Sequence, residues 1–267
     1  MNPIRRLSDA LREMRWAQVV LELVLLILGI LIALAVDGWM DDRRDARAER
    51  QYLELLMRDL DRDLAVLDEF MAYEERQVAD SVLAYRALRG GVAAEDREAV
   101  AVALSRLTSR RTLRLTRATY TDLLGTGNLR LIRTPALRDR IVGLYENTER
   151  TLVIRDRNNQ VFVDEMYMQY LLASGLVAPR PGNNLKALDG PEREFAEHVG
   201  MPVGTADDRL WRLPADAPEL VVLANKVWMR GSVSNSAIAH AQAMVGEIRE
   251  VREAIAAELA RRWPRQP

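Results

Sequence analysis

Few residues here are of a type and spacing that could do chemistry. Gly125-Thr126-Gly127-Asn128 has the look of a phosphate-cradling turn. It lacks the Gly-Lys-Ser/Thr ending that would hold phosphate and metal, and it follows a helical pattern where a dinucleotide fingerprint would follow a strand. Gly125, Gly127 and Asn128 are therefore expected to form a structural turn, with Tyr120, Leu123 and Leu124 packed beside it. Asp59, Asp61 and Asp63 resemble a carboxylate metal run. On a helix they point in different directions, and Arg58 and Arg62 neutralise them, so a solvated face is expected. Arg106, Arg110, Arg111, Arg114 and Arg117 form a denser basic cluster. It has the charge to bind anionic lipid or polymer. The preferred reading is pairing with acids of the first soluble helix. His240, between two alanines on a helix, suits packing or the surface better than general-base work.

Composition narrows the chemistry further. The absence of Cys excludes disulfides, thiolate zinc sites and cysteine nucleophiles and leaves the compartment open. Two His leave little material for a metal cluster or a triad. Thirty-eight basic residues against 39 acidic ones give a formal charge of −1, which supplies no global case for nucleic acid. No cofactor and no metal is expected.

One ionisable residue stands in an unusual place. Glu22 is the only charge in the apolar run 19–36. A helix over 16–39 spans a hydrocarbon core of ~30 Å. Arg15, Trp16 and Trp39 are expected at its two interfaces. Glu22 has two readings. It lies less than two turns beyond Trp16, so its carboxylate can reach the headgroup zone. It also shares a helix face with Leu26, Gly29 and Ala33, where a small-xxx-small pair permits close helix packing. The interfacial reading is weighted slightly above the packing one. A cleaved signal peptide is the rival to an anchor, since Ala33-Leu34-Ala35 offers a small-x-small site. The basic segment before the run and Trp39 after it favour an uncleaved anchor. Arginine counts on the two sides nearly tie. The favoured topology puts residues 1–15 in the cytoplasm, 16–39 in the membrane and 40–267 outside as a helical domain.

The rest reads as all-α. Residues 41–88 repeat apolar positions every three or four residues through Leu53, Leu56, Leu60, Leu64, Leu67, Met71, Val78 and Val82. With no Pro or Gly between Gly38 and Gly90, the membrane helix is expected to run straight into this one. A second helix is expected over 95–109, resuming over 117–124. A third starts at Thr134-Pro135, with Thr134 as cap, and runs to about 173 with Gly175 as stop. Its stripe includes Ile141, Leu144, Leu152, Phe162, Met166 and Tyr170, and Asn158-Asn159 is a place to bend. Residues 176–215 crowd Pro and Gly and read as a long irregular excursion with a short helix over 192–198. Asp216 and Glu219 form a capping box for a last helix running to about 263. The simplest architecture is an N-terminal transmembrane helix continuing into an antiparallel, roughly four-helix bundle with a long irregular loop. Its last helix would return Arg261, Arg262 and Trp263 toward the headgroups, if they are not a frayed tail.

Two stretches resemble an uncharacterised bacterial family of single-pass membrane proteins, a domain of unknown function. One runs from Glu22 through Gly29 to Ala33, followed by Trp39. The other is Tyr120-Thr-Asp-Leu-Leu-Gly-Thr-Gly-Asn128-Leu-Arg-Leu-Ile132, followed by Pro135, Leu137 and Arg138. Together they cover about a fifth of the chain. The resemblance implies a membrane anchor, an all-helical domain and no established activity. The leading expectation is a non-enzymatic, single-pass protein of the bacterial inner membrane acting as a scaffold or interaction subunit. Its expected partners are the lipid bilayer and either further copies of itself or another membrane protein. The alternative is an extracytoplasmic ligand sensor that signals through a partner's membrane helix. A lipid- or envelope-acting enzyme ranks third.

Overall fold

A computed structural model describes residues 3–177, 198, 209–214 and 216–264, leaving aside the side chains of residues 3–15, 17 and 18. One helix, α1 (Pro3–Gly90), carries both the apolar run and the first stem of the bundle without a break. Residues 19–36 are exposed along their whole length, and the first buried residue after them is Glu49. Among the described residues this is the one helix long and apolar enough to cross a membrane.

The chain then folds as four antiparallel passes with no strand among the described residues. The second pass descends along α1 as α2 (Arg97–Arg106), a non-helical stretch, and α3 (Ala118–Gly125). Its contacts step steadily down α1, from Arg106 with Asp80, through Arg111 with Glu69 and Thr116 with Asp63, to Asp122 with Tyr52. A 3₁₀ turn, Asn128–Leu131, makes the lower corner. The third pass rises as α4 (Pro135–Asn158), a π-helix (Asn159–Met168) and α5 (Gln169–Ser174). Gly175, at φ +60°, stops it in the left-handed conformation that favours glycine. The last pass, α6 (Pro218–Arg262), descends against both α1 and the third pass. The bundle expected from the periodicity is therefore present. The excursion over 176–215 and its short helix lie mostly outside the described residues. Its described ends are tied together where the Leu210 amide donates to the Leu176 carbonyl at 2.9 Å.

Two apolar cores stack along the bundle. The lower one gathers Leu53, Leu60 and Phe70 of α1 with Tyr120, Ile141, Tyr145 and Ile248. The upper one gathers Ala84, Leu88, Leu104, Tyr167, Leu223 and Val227. Each buried leucine contributes about 1.5–3 kcal/mol by leaving water.

Three local expectations need correction. Thr134 precedes α4, but its hydroxyl donates to Glu258 Oε1 (2.8 Å) and makes no cap bond to its own helix. Ala217, not Asp216, is the residue before α6, with Pro218 in its first turn and no side-chain cap. The buried face of the third pass beyond Asn158 runs through Asn159, Val163, Tyr167 and Leu171, one residue later than Phe162, Met166 and Tyr170. Steps of four drift by about 40° each in an α-helix. The wider i→i+5 winding of the π-helix absorbs that drift and keeps these four in line.

Candidate functional site

The exposed apolar end is built on α1. Glu22, Leu26, Gly29 and Ala33 are exposed, and a Cβ placed on Gly29 would meet nothing within 4 Å. The helix face is thus open to lipid or to another helix. Trp16 and Trp39 are exposed at 69% and 56%. The Arg43 guanidinium stacks over the Trp39 ring at 4.2 Å. Arg15 has its side chain outside the description.

Just above Trp39 the bundle closes on itself. Glu49 is fully buried and accepts from the Arg133 amide (2.9 Å) and from Arg262. Arg133 also reaches down to the Asp42 carboxylate (3.0 Å) and carbonyl (3.3 Å). Glu258, only 7% exposed, accepts from Thr134 and Arg261. Burial pushes its carboxyl up, but the hydrogen bonds and nearby arginines outweigh that and hold it below the ordinary value. Arg262 stacks on Trp263 at 4.6 Å. The end of α6 is therefore docked on α1 at the level of Glu49. Two carboxylates turn inward here while most of the guanidinium groups stay outside.

A second polar cluster lies between the two cores, and periodicity alone did not flag it. Arg230 on α6 is 1% exposed. It donates to the Leu107 carbonyl (3.1 Å), the Ser109 carbonyl (3.0 Å), Gln77 (3.1 Å) and Ser234. Glu74, 3% exposed, lies 3.9 Å away and accepts from the Ser234 hydroxyl at 2.6 Å. Burial lowers the Arg230 pKa below its ordinary value, with Glu74 pulling it back. Nearby, Arg155 stacks on Phe70 at 4.5 Å. The sequence signal was present. Glu74, Gln77 and Ser81 sit where the buried stripe of α1 passes, and they interrupt it. Val78 and Val82, expected on that stripe, lie beside it on a groove.

That groove runs between α1 and α6, with about 500 Å³ of open volume. It is lined by Val78, Ser81, Val82, Tyr85, Trp228 and Gly231, with Ser232 and Asn235 at its polar side. Gly231 is essential to the crossing, because a Cβ there would lie 2.8 Å from the Ser81 Cβ. Trp228 is 57% exposed at the rim.

The remaining sequence candidates are distributed. Arg106 pairs with Asp80 (3.5 Å), Arg110 with Asp164 (3.0 Å), Arg111 with Glu69 (2.8 Å) and Arg117 with Glu149 (3.0 Å), while Arg114 is exposed. Two of these acids belong to α1 and two to the third pass, so the cluster staples the second pass to both neighbours. Asp61 is solvated beside Arg252, but Asp59 and Asp63 are not, which corrects the solvated-face reading. Asp59 accepts from the Thr119 amide (3.4 Å) and hydroxyl (2.6 Å) in the first turn of α3, and Asp63 from the Thr116 amide (2.7 Å). The Thr119 amide is one of the donors that a helix start leaves open, and the Thr116 amide lies two residues before α3 in the non-helical stretch. Burial raises the Asp63 pKa above its ordinary value despite the Thr116 bonds.

The turn sits where expected. Gly125 ends α3, Gly127 has φ +69°, and the Asn128 amide group donates to the Tyr52 hydroxyl (3.1 Å). Tyr120 and Leu123 pack beneath it, while Leu124 is half exposed. His240 is exposed. Among the described residues no group of three or more His, Asp or Glu side chains is arranged to hold a metal.

No curated protein and no solved structure matches the chain. The family match spans 145 of 267 residues, from the apolar run through the lower corner into the π-helix. On that span, residues 22–166, the chain belongs to DUF6090, a family of unknown function.

Proposed function

We propose that this chain is a single-pass membrane protein whose helical bundle serves as a non-enzymatic scaffold or interaction subunit. The observation that carries the reading is the exposed apolar run 19–36, continuous in one helix with the buried stem of the bundle. An apolar surface this long is costly in water and favourable in lipid. Residues 1–15 form a short cytoplasmic N-terminus, 16–39 the membrane helix, and 40–267 an extracytoplasmic bundle at a bacterial inner membrane. The binding surface is the α1–α6 groove with Trp228 at its rim, an aromatic of the kind that dominates interfaces.

The chain has no cysteine, so single cysteines can report topology directly. A cysteine at Ser8 should resist a membrane-impermeant maleimide in intact cells, and one at Ser236 should react. The reverse pattern would invert the topology. Reaction at both sites together with release by alkaline carbonate would refute the anchor. A photo-crosslinker at position 228 should give one discrete adduct: twice the chain mass for a homo-oligomer, or a different mass for a second subunit. A ladder of unrelated adducts would refute a specific interface.

One observation favours the sensor reading. The groove volume falls within the range of small-ligand sites. A small ligand in it would raise the melting temperature, and Trp228→Ala would abolish the shift.

A further inference from the structure

We propose that the base of the bundle is a docking surface for anionic phospholipid headgroups, with Arg43, Arg47 and Arg130 as the phosphate-facing cations. This rests on the membrane-anchor reading above and deepens it.

Three passes converge on the level of α1 just beyond Trp39. Arg133 grips Asp42, which lies about 4.5 Å beyond Trp39 along the helix axis. The end of α6 meets Glu49, about 15 Å beyond Trp39. With Trp39 at the interface, this base faces the headgroups directly. Two of its carboxylates are buried, while Asp37, Asp41 and Asp42 stay exposed beside the arginines. Glu49 and Glu258 point inward; Arg262 and, at 4.0 Å, the Arg133 guanidinium pair with Glu49, and Arg261 pairs with Glu258. Asp41 and Asp42 pair with Arg44 and Arg133. Arg43, Arg47 and Arg130 are exposed, and none has a carboxylate at ion-pair distance among the described residues. Arg43 lies over the Trp39 ring, which fixes its guanidinium at the boundary between lipid and water. Arg47 follows one turn later on the same face of α1, and Arg130 lies in the lower corner between the Asn128 contact with Tyr52 and the Arg133 contact with Asp42; guanidinium groups match phosphate oxygens in charge and hydrogen-bonding geometry. The occupant is the bilayer because the surface continues directly from the membrane-spanning run.

The test uses the full chain in nanodiscs of equimolar phosphatidylglycerol and phosphatidylcholine. Native mass spectrometry counts the lipids that stay bound on release. Wild type should retain phosphatidylglycerol preferentially. The triple variant Arg43→Gln, Arg47→Gln, Arg130→Gln should lower that preference by about tenfold or more. A control triple, Arg58→Gln, Arg76→Gln, Arg89→Gln, removes the same charge from exposed positions higher on α1 and should leave the preference unchanged. Equal retention by wild type and the base triple overturns the proposal. So does an equal loss in both triples, which would make the effect one of net charge. Alkaline carbonate extraction of the source membranes separates the layers of inference. A released chain defeats the anchor and this surface together, whereas a retained chain with no lipid preference defeats the surface alone.

Discussion

Glu74→Gln should be among the most damaging single-atom-scale changes in this chain. The substitution keeps the shape of the side chain and removes its charge. Arg230, 1% exposed, would then be a buried cation without its counter-charge, 3.9 Å from a neutral amide. Its bonds to Leu107, Ser109 and Gln77 persist and keep the guanidinium from swinging out to water. Breaking a buried ion pair from one side costs about 3–5 kcal/mol, mostly as the penalty of the stranded charge. For a domain of this size 1 kcal/mol shifts the melting temperature by about 2–4 °C, so the midpoint should fall by roughly 6–20 °C. The assay is thermal unfolding of the detergent-solubilised full chain followed by circular dichroism. Ser234→Ala provides the comparison. It removes the 2.6 Å bond to Glu74 and the bond that the same hydroxyl accepts from Arg230, but leaves both charges in place, and should cost about 1–3 kcal/mol. The double variant should fall short of the sum, because both changes act on one network. A Glu74→Gln midpoint within about 2 °C of wild type would refute the idea that Glu74 holds a buried charge in place.

Three further outcomes follow from the same geometry. Asp63→Asn should keep the Thr116 contact and stabilise the chain at neutral pH. The folded-state pKa of Asp63 is raised by burial, so the folded state binds more protons than the unfolded one above the ordinary value of 3.8. Asp63 therefore destabilises increasingly as pH rises through its raised pKa. The gain from Asn should shrink on acidification toward 3.8, and a gain that grew instead would contradict the sign. Gly231→Ala should cost about 1–3 kcal/mol by forcing α1 and α6 apart, and most of that loss should disappear in a Ser81→Gly background, as chemical denaturation can show. The two turn glycines should behave oppositely. Gly127→Ala should cost about 1–2 kcal/mol because its φ is +69°, whereas Gly125→Ala, at the end of α3 with open space around it, should be neutral or mildly stabilising.

What the sequence by itself determined was local. The 3.6-residue pattern placed the helical passes, Gly175 and the Gly125–Asn128 turn placed their ends, and the run 19–36 declared itself by composition. Each of these depends on neighbours within a few turns, so a linear reading reaches it. The tertiary structure decided where each carboxylate went. Asp59 and Asp61 are two residues apart, yet one starts α3 and the other meets Arg252 in water. Which of them is buried depends on where the second pass lies against α1, and no local pattern encodes that. Glu49 and Glu74 read as ordinary polar positions until α6 brings Arg262 and Arg230 to them; Glu258 has Arg261 one turn away on its own helix, but only the lower corner brings Thr134 over it. The π-helix likewise shifted a stripe by one residue because packing against α6 rewarded the steps of four over the intrinsic period. Helices form from local periodicity. Buried charges such as Glu49 and Arg230 are paired by residues distant in sequence, and the fold alone decides that.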